Sequence, residues 1–277
     1  MKTLFELCEP REDVLKGAVR ESEFAADLAL VLRKEAPPEY QDAETFFANT
    51  HPTGGLKRLL DNVCRRLVGA GGEASAIFRL DTQYGGGKTH SLIALAHLAQ
   101  GVAGVKNLAE FIDPALVPKG KVRLAAFDGE NADPVNGRVM GEGVRAFTPW
   151  GELAFALGGK AGYEKVRRSD EERTAPGAET IRGLFGGEPT LILLDELSVY
   201  LRKVYGRAEA GQLTPFLTGL FKAVESAPGA ALVFTLAIGK GGVATDAYSE
   251  ENQFLADKLS EAESVAAYSI LLTPSER

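Results

Sequence analysis

A short apolar run that breaks into three consecutive glycines and then Lys-Thr constrains this chain more than any other feature. The segment reads Ile77-Phe-Arg-Leu-Asp-Thr-Gln-Tyr-Gly-Gly-Gly-Lys-Thr-His-Ser-Leu92. Its pattern predicts a strand, a tight turn, and a helix from about Lys88 to Gln100. Glycines let successive backbone N–H groups turn inward around an anion with no Cβ in the way. The helix that follows points its positive end at the same place. Lys88 can reach the outer phosphates of a nucleotide, and the Thr89 hydroxyl can ligate Mg²⁺. Against the pattern G-x-x-x-x-G-K-[ST], Gly87, Lys88 and Thr89 match, while Thr82 replaces the first glycine. Thr82, Gln83, Tyr84, Gly85, Gly86, Gly87, Lys88, Thr89 and His90 are therefore the candidate nucleotide-binding set. Within it His90 is read as a supporting or packing residue, and His97 as core.

A second signal lies about a hundred residues on. Pro189-Thr-Leu-Ile-Leu-Leu-Asp-Glu196 is a short apolar strand that delivers two carboxylates at its C-terminal end, where open parallel sheets bind ligands. Asp195 is placed to hold Mg²⁺ and Glu196 to polarise a water for attack on a γ-phosphate. Thr235 interrupts the apolar run Ala231-Leu-Val-Phe-Thr-Leu-Ala-Ile238. It either orients that water or satisfies local hydrogen bonds as a good strand former. Asp128-Gly-Glu-Asn131 follows another apolar run and reads as a plain turn, or as acids touching the metal shell or a partner. The expected ligands are thus ATP and Mg²⁺, and the expected catalytic residues Glu196 and Thr235.

The apolar runs 76–80, 122–127, 191–194, 230–238 and 268–272 alternate with helical segments, as strands buried between helix layers do. The expected fold is α/β: a P-loop NTPase with an open, mostly parallel five-stranded sheet sandwiched by helices. Arg79 and Arg123 interrupt the first two runs and place those strands nearer an edge or a site. Residues 1–72 are expected to form an N-terminal helical segment on a core of residues 73–277. Ser22 is the expected N-cap of a helix through Lys34, closed by Pro37-Pro38. Leu56, Leu59, Leu60, Val63, Cys64 and Leu67 form one apolar stripe of a second helix, stopped by Gly69-Ala-Gly-Gly72. Tyr40, Phe46 and Phe47 between them read as core. The stretch 131–188 is the least readable, and Lys165–Arg173 within it reads as a solvated face.

Composition excludes several classes. The chain has 277 residues, with 31 Lys+Arg against 38 Asp+Glu and a net charge of −7, so a broad electrostatic grip on nucleic acid is not expected. Any nucleic-acid contact would be indirect. No apolar stretch approaches the ~20 residues of a membrane span, and acids interrupt the start where a signal peptide is apolar. Two cysteines and three histidines give neither a disulfide framework nor a zinc cluster. A cytoplasmic, reduced setting is expected.

Gly85-Gly-Gly-Lys-Thr-His-Ser-Leu92, Thr148-Pro-Trp-Gly-Glu-Leu-Ala154, Leu191–Leu201 and the Tyr40–Thr53 stretch carry a resemblance. The chain resembles a family of bacterial and archaeal AAA+-type ATPases of poorly defined function. The resemblance implies loci with DNA methyltransferases and helicases, of the anti-phage defence type. It also implies a helical lid and an arginine finger. The chain stops at Arg277, about where the core sheet should finish, and no arginine lies between Arg207 and Arg277. A protein partner or a second copy of the chain is then expected to supply the finger, with slow hydrolysis until it does. Besides an ATPase, the residues admit a nucleotide-gated interaction module with little turnover. A small-molecule kinase is disfavoured by the Asp195-Glu196 pair, since a kinase must keep water from being activated.

Overall fold

A computed structural model describes residues 26–70, 75–82, 87–237 and 268–271, with Leu15 and Gly17. Four short-to-medium helices come first, each begun by local chemistry. Helix α1, Leu28–Arg33, starts where the Asp27 side chain accepts the Leu30 amide and ends with Lys34 in the left-handed region. Ser22, the expected cap, lies outside the described residues; Asp27 caps the described helix instead. Pro37-Pro38 closes that segment and also opens α2, Pro38–Gln41, because proline suits the first helical turn. Asp42 caps α3, Ala43–Ala48. Thr53 caps α4, Gly54–Val68, which Gly69 ends. The expected stripe of α4 is buried throughout.

Strand β1, Ile77–Thr82, leads towards helix α5, Lys88–Gln100. Strand β2, Arg123–Asp128, is followed by an antiparallel ribbon, β3 Arg138–Gly141 and β4 Val144–Ala146. Helices α6 Pro149–Glu164, α7 Arg167–Glu171 and α8 Ala178–Phe185 come next. Strand β5, Thr190–Asp195, helix α9, Leu197–Val204, helix α10, Leu213–Glu225, and strand β6, Ala230–Ala237, follow, with β7, Tyr268–Leu271, last.

The main sheet runs β2-β5-β6-β1-β7 with every pairing parallel. Its body is the four strands β2, β5, β6 and β1; β7 joins beyond β1. The chain is α/β, a parallel sheet flanked by helices. The antiparallel ribbon is a separate, unexpected sheet that brings the described strands to seven. Its turn, Glu142-Gly143, has φ of 52° and 75°, the two-residue geometry that matches strand twist. The ribbon's strands are only four and three residues long, so period-2 alternation is too brief to show in the sequence. Of the strands with Arg79 and Arg123, β2 is an edge strand, and β1, between β6 and β7, leads to the glycine-Lys-Thr loop.

Alternation along the strands divides the core in two. Leu191, Leu193, Phe78, Leu80, Ala231 and Val233 pack with α1, α3, α4 and α5. Ile192, Leu194, Phe127, Leu232 and Phe234 pack with α6, α8, α9 and α10. The N-terminal helices thus supply much of one layer rather than a core of their own. Arg66 of α4 fastens that layer to the far side of the fold. Its guanidinium donates to the carbonyls of Ala230, Val224, Glu225 and Ala227 at 2.9–3.3 Å.

The reading of Lys165–Arg173 as a solvated face fails at two buried residues, Val166 and Asp170. Asp170 has 0% exposure. Its carboxylate accepts the amides of Phe147 and Thr148 at 2.9–3.1 Å, the Thr148 hydroxyl, and the Tyr163 hydroxyl at 2.9 Å. It ties α7 to the entry of α6.

Candidate functional site

The C-terminal edge of the sheet gathers the residues that the sequence singles out. Asp195 ends β5 directly beside Asp128, which ends β2. Leu194 pairs with Phe234, so the next residue of each strand, Asp195 and Thr235, meet at the same height. The Thr235 hydroxyl donates to Asp195 Oδ1 at 2.6 Å. The Glu196 amide donates to that same oxygen at 3.1 Å and to Thr235 Oγ1 at 3.3 Å. From the other motif, the Thr89 hydroxyl donates to Asp195 Oδ2 at 2.7 Å. Both oxygens of Asp195 therefore hold hydroxyl protons, and Thr89, Asp195, Glu196 and Thr235 form one cluster.

Burial dominates the electrostatics. Asp195 is 3% exposed. Desolvation pushes its carboxyl above the usual range, against the pull of the Thr235 and Thr89 hydrogen bonds. Glu196 is also raised, by burial first and then by Asp195, while nearby Lys88 opposes the shift. Lys88 opens α5 and is itself buried. Gly87 stands at the helix N-cap with φ 76° and offers no capping side chain. The amides of that first turn keep their anion-binding character. Ser91 Oγ donates back to the Gly87 carbonyl at 2.8 Å, fixing the turn from the helix side.

Thr82 ends β1 opposite Ala237. Gln83, Tyr84, Gly85 and Gly86 lie outside the described residues. His90 faces the N-terminal helices. Thr50 Oγ1 donates to the Phe46 carbonyl at 2.6 Å and so must accept from His90 Nε2 at 2.8 Å. The His90 ring also stacks on Phe46, with centroids 4.4 Å apart. Burial pushes its pKa down to about 4, which keeps it neutral. His97 is core, bonded through Nε2 to the Tyr40 carbonyl at 2.9 Å.

Asp128 makes a turn. It accepts the amides of Glu130 and Asn131 at 2.9 and 3.4 Å and the Asn131 side-chain amide at 2.6 Å. The sequence reading missed Glu152 altogether. It is 4% exposed and pairs with Arg138 of the ribbon at 3.0 Å. Desolvation raises its carboxyl to about 7 although Arg138 pulls the other way. This pair lines a cavity of about 320 Å³ over β2 and against α1, which also reaches Asp128 at the end of β2. Only pairing with β3 reveals it, and the sequence does not announce that ribbon.

Oxygen donors at Thr89 and Asp195 suit a hard cation such as Mg²⁺, which takes one or two protein oxygens and completes its shell with phosphates and water. Almost the whole chain, residues 3–268, matches one family description. The chain belongs to the DUF499 N-terminal domain family. No curated protein matches this DUF499 domain. Among its described residues, no helix is long and apolar enough to cross a membrane.

Proposed function

We propose that this DUF499 N-terminal domain is a P-loop ATPase core of AAA+ type that binds Mg-ATP and hydrolyses it. The observation that carries the proposal is the 2.7 Å bond from Thr89 to Asp195. It joins the glycine-Lys-Thr loop to the acidic strand end, the two halves that phosphoryl transfer from ATP requires. Strand order supports it, since β1 lies between β6 and β7 and delivers Thr82 beside β6. In this reading the first-turn amides of α5 and the Lys88 ammonium hold the phosphates. Thr89 and Asp195, whose oxygens already meet, would hold Mg²⁺. Bound Mg²⁺ supplies charge that neutralises the phosphates. Glu196, whose carboxyl burial holds above the ordinary carboxylate range, takes the proton of the attacking water. Thr235 holds Asp195 and the Glu196 amide in register.

A second reading, a nucleotide-gated interaction module with little turnover, is favoured by one fact. No arginine lies between Arg207 and Arg277. An arginine finger contributes roughly 10³–10⁵ in rate where present. A second copy or a protein partner would supply it, in a setting of DNA-related or anti-phage defence. Titration of labelled ATP decides binding. Lys88→Ala should weaken it by roughly thirtyfold or more, about 2–5 kcal/mol for a lost charge partner. Equal affinities would sink the phosphate-loop assignment. Phosphate release by the wild type then separates the two readings.

A further inference from the structure

We propose that Gly129 is a positioning residue for Glu196: it is the floor on which the Glu196 peptide rests, and a side chain there displaces the carboxylate that handles the water. This rests on the ATPase reading for its consequence, but the geometry stands by itself.

Glu196 is a non-glycine residue at φ 50°, ψ 43°, in the left-handed region that side chains favour little. Such a conformation persists only where its surroundings over-determine it. Above, the Glu196 amide is held by Asp195 and Thr235. Its carbonyl accepts the amides of Val199 and Tyr200 at 3.1 and 3.2 Å and so starts α9. Below lies Gly129. A Cβ built on Gly129 would overlap the Glu196 carbonyl oxygen, approach the carbonyl carbon to 2.8 Å, and meet Tyr200 Cβ at 3.1 Å. Two of these three are atoms of the Glu196 peptide and cannot swing away as a flexible side chain could. The glycine is required by close approach; its φ is ordinary.

The turn that carries Gly129 is itself fastened. The Gly129 amide donates to the Asp195 carbonyl at 3.0 Å. Asp128 closes the turn through the Glu130 and Asn131 amides. From α9, Lys203 Nζ donates to the carbonyls of Glu130 and Ala132. The turn after β2 and the helix after β5 are thus clamped together with Glu196 between them. An added methyl group cannot be absorbed by a drift of the turn alone. It must move the Glu196 peptide, and displacements of about 1 Å can cost on the order of 10² in rate.

The test is Gly129→Ala in two backgrounds, wild type and Glu196→Gln. In the wild-type background, ATP affinity should stay within about threefold while turnover falls roughly 10–100-fold. In the Glu196→Gln background, single-turnover hydrolysis should show no further loss, since residues that act as one unit are not additive. Equal losses in both backgrounds, or unchanged turnover in the first, would overturn the assignment. Without nucleotide, amide hydrogen exchange across residues 196–204 should quicken by about tenfold or more in Gly129→Ala. Unchanged exchange there would overturn the floor itself, whereas a wild type that fails to bind ATP would overturn the ATPase reading alone. Should Gly129→Ala not fold by circular dichroism, Lys203→Met loosens the same clamp from α9. It should lower turnover several-fold at unchanged ATP affinity, and no change would count against the clamp.

Discussion

Thr235 and Asp195 share a hydrogen bond of 2.6 Å between neighbouring strands, with Thr235 only 2% exposed. This contact shows the Thr235 hydroxyl satisfying local hydrogen bonds in the resting chain.

Thr235→Val keeps shape and strand propensity but removes a donor to Asp195 and an acceptor for the Glu196 amide. Leaving buried polar groups short of partners costs about 1–3 kcal/mol each. Urea denaturation without nucleotide should show a loss in that range. A change below about 0.5 kcal/mol would mean that Thr235 contributes nothing before ATP arrives.

Glu152 predicts a pH dependence. Its carboxyl is raised to about 7 from the ordinary 4.5, so the folded chain binds this proton more tightly than the unfolded chain does. Its contribution is therefore most favourable below about pH 4.5 and is lost as pH rises towards 7. The full span corresponds to a cost on the order of 3 kcal/mol. Glu152→Gln should flatten the stability curve between pH 5 and 7 (roughly that window) relative to wild type. Parallel curves for the two proteins would show that Arg138 neutralises the burial cost.

Asp170→Asn replaces an acceptor of four donors by a group that carries its own N–H₂. Hydrogen bonds to a charged acceptor contribute about 1.5–3 kcal/mol each. Denaturation should therefore show a loss on the order of 3 kcal/mol, with ATP affinity unchanged because the residue stands apart from Thr89 and Asp195. A neutral effect would remove Asp170 as the tie between α7 and α6.

The order of the main elements was legible because their signals are local. The α4 stripe, the Lys88–Gln100 helix and the apolar runs at β1, β2, β5, β6 and β7 each carry their own period or length. The meeting of Thr89 with Asp195 was legible by a different route, since loop and acidic strand end are paired by chemistry. Asp170 and Glu152 escaped because the groups that hold them are distant in sequence or in a ribbon. Asp170 sits among Arg167, Arg168 and Glu171, and only folding around Thr148 and Tyr163 removes it from water. Glu152 is paired by Arg138, on a ribbon too short to show alternation. Asp27 was not singled out as a cap, although it stands immediately before the described helix; Ser22 lies outside the described residues.

The Arg66 linkage has a consequence for how the chain is made. Arg66 meets the carbonyl of Ala230, 164 positions later. Ribosomes add about 5–20 residues each second, so α4 waits roughly 10–30 s for that partner. Throughout, Leu56, Leu59, Leu60, Val63 and Leu67 have no finished sheet to cover them. The nascent chain thus carries a sticky amphipathic helix for most of its synthesis. Its yield in a cell should depend on holdase capacity and elongation speed more than on the final stability of the fold.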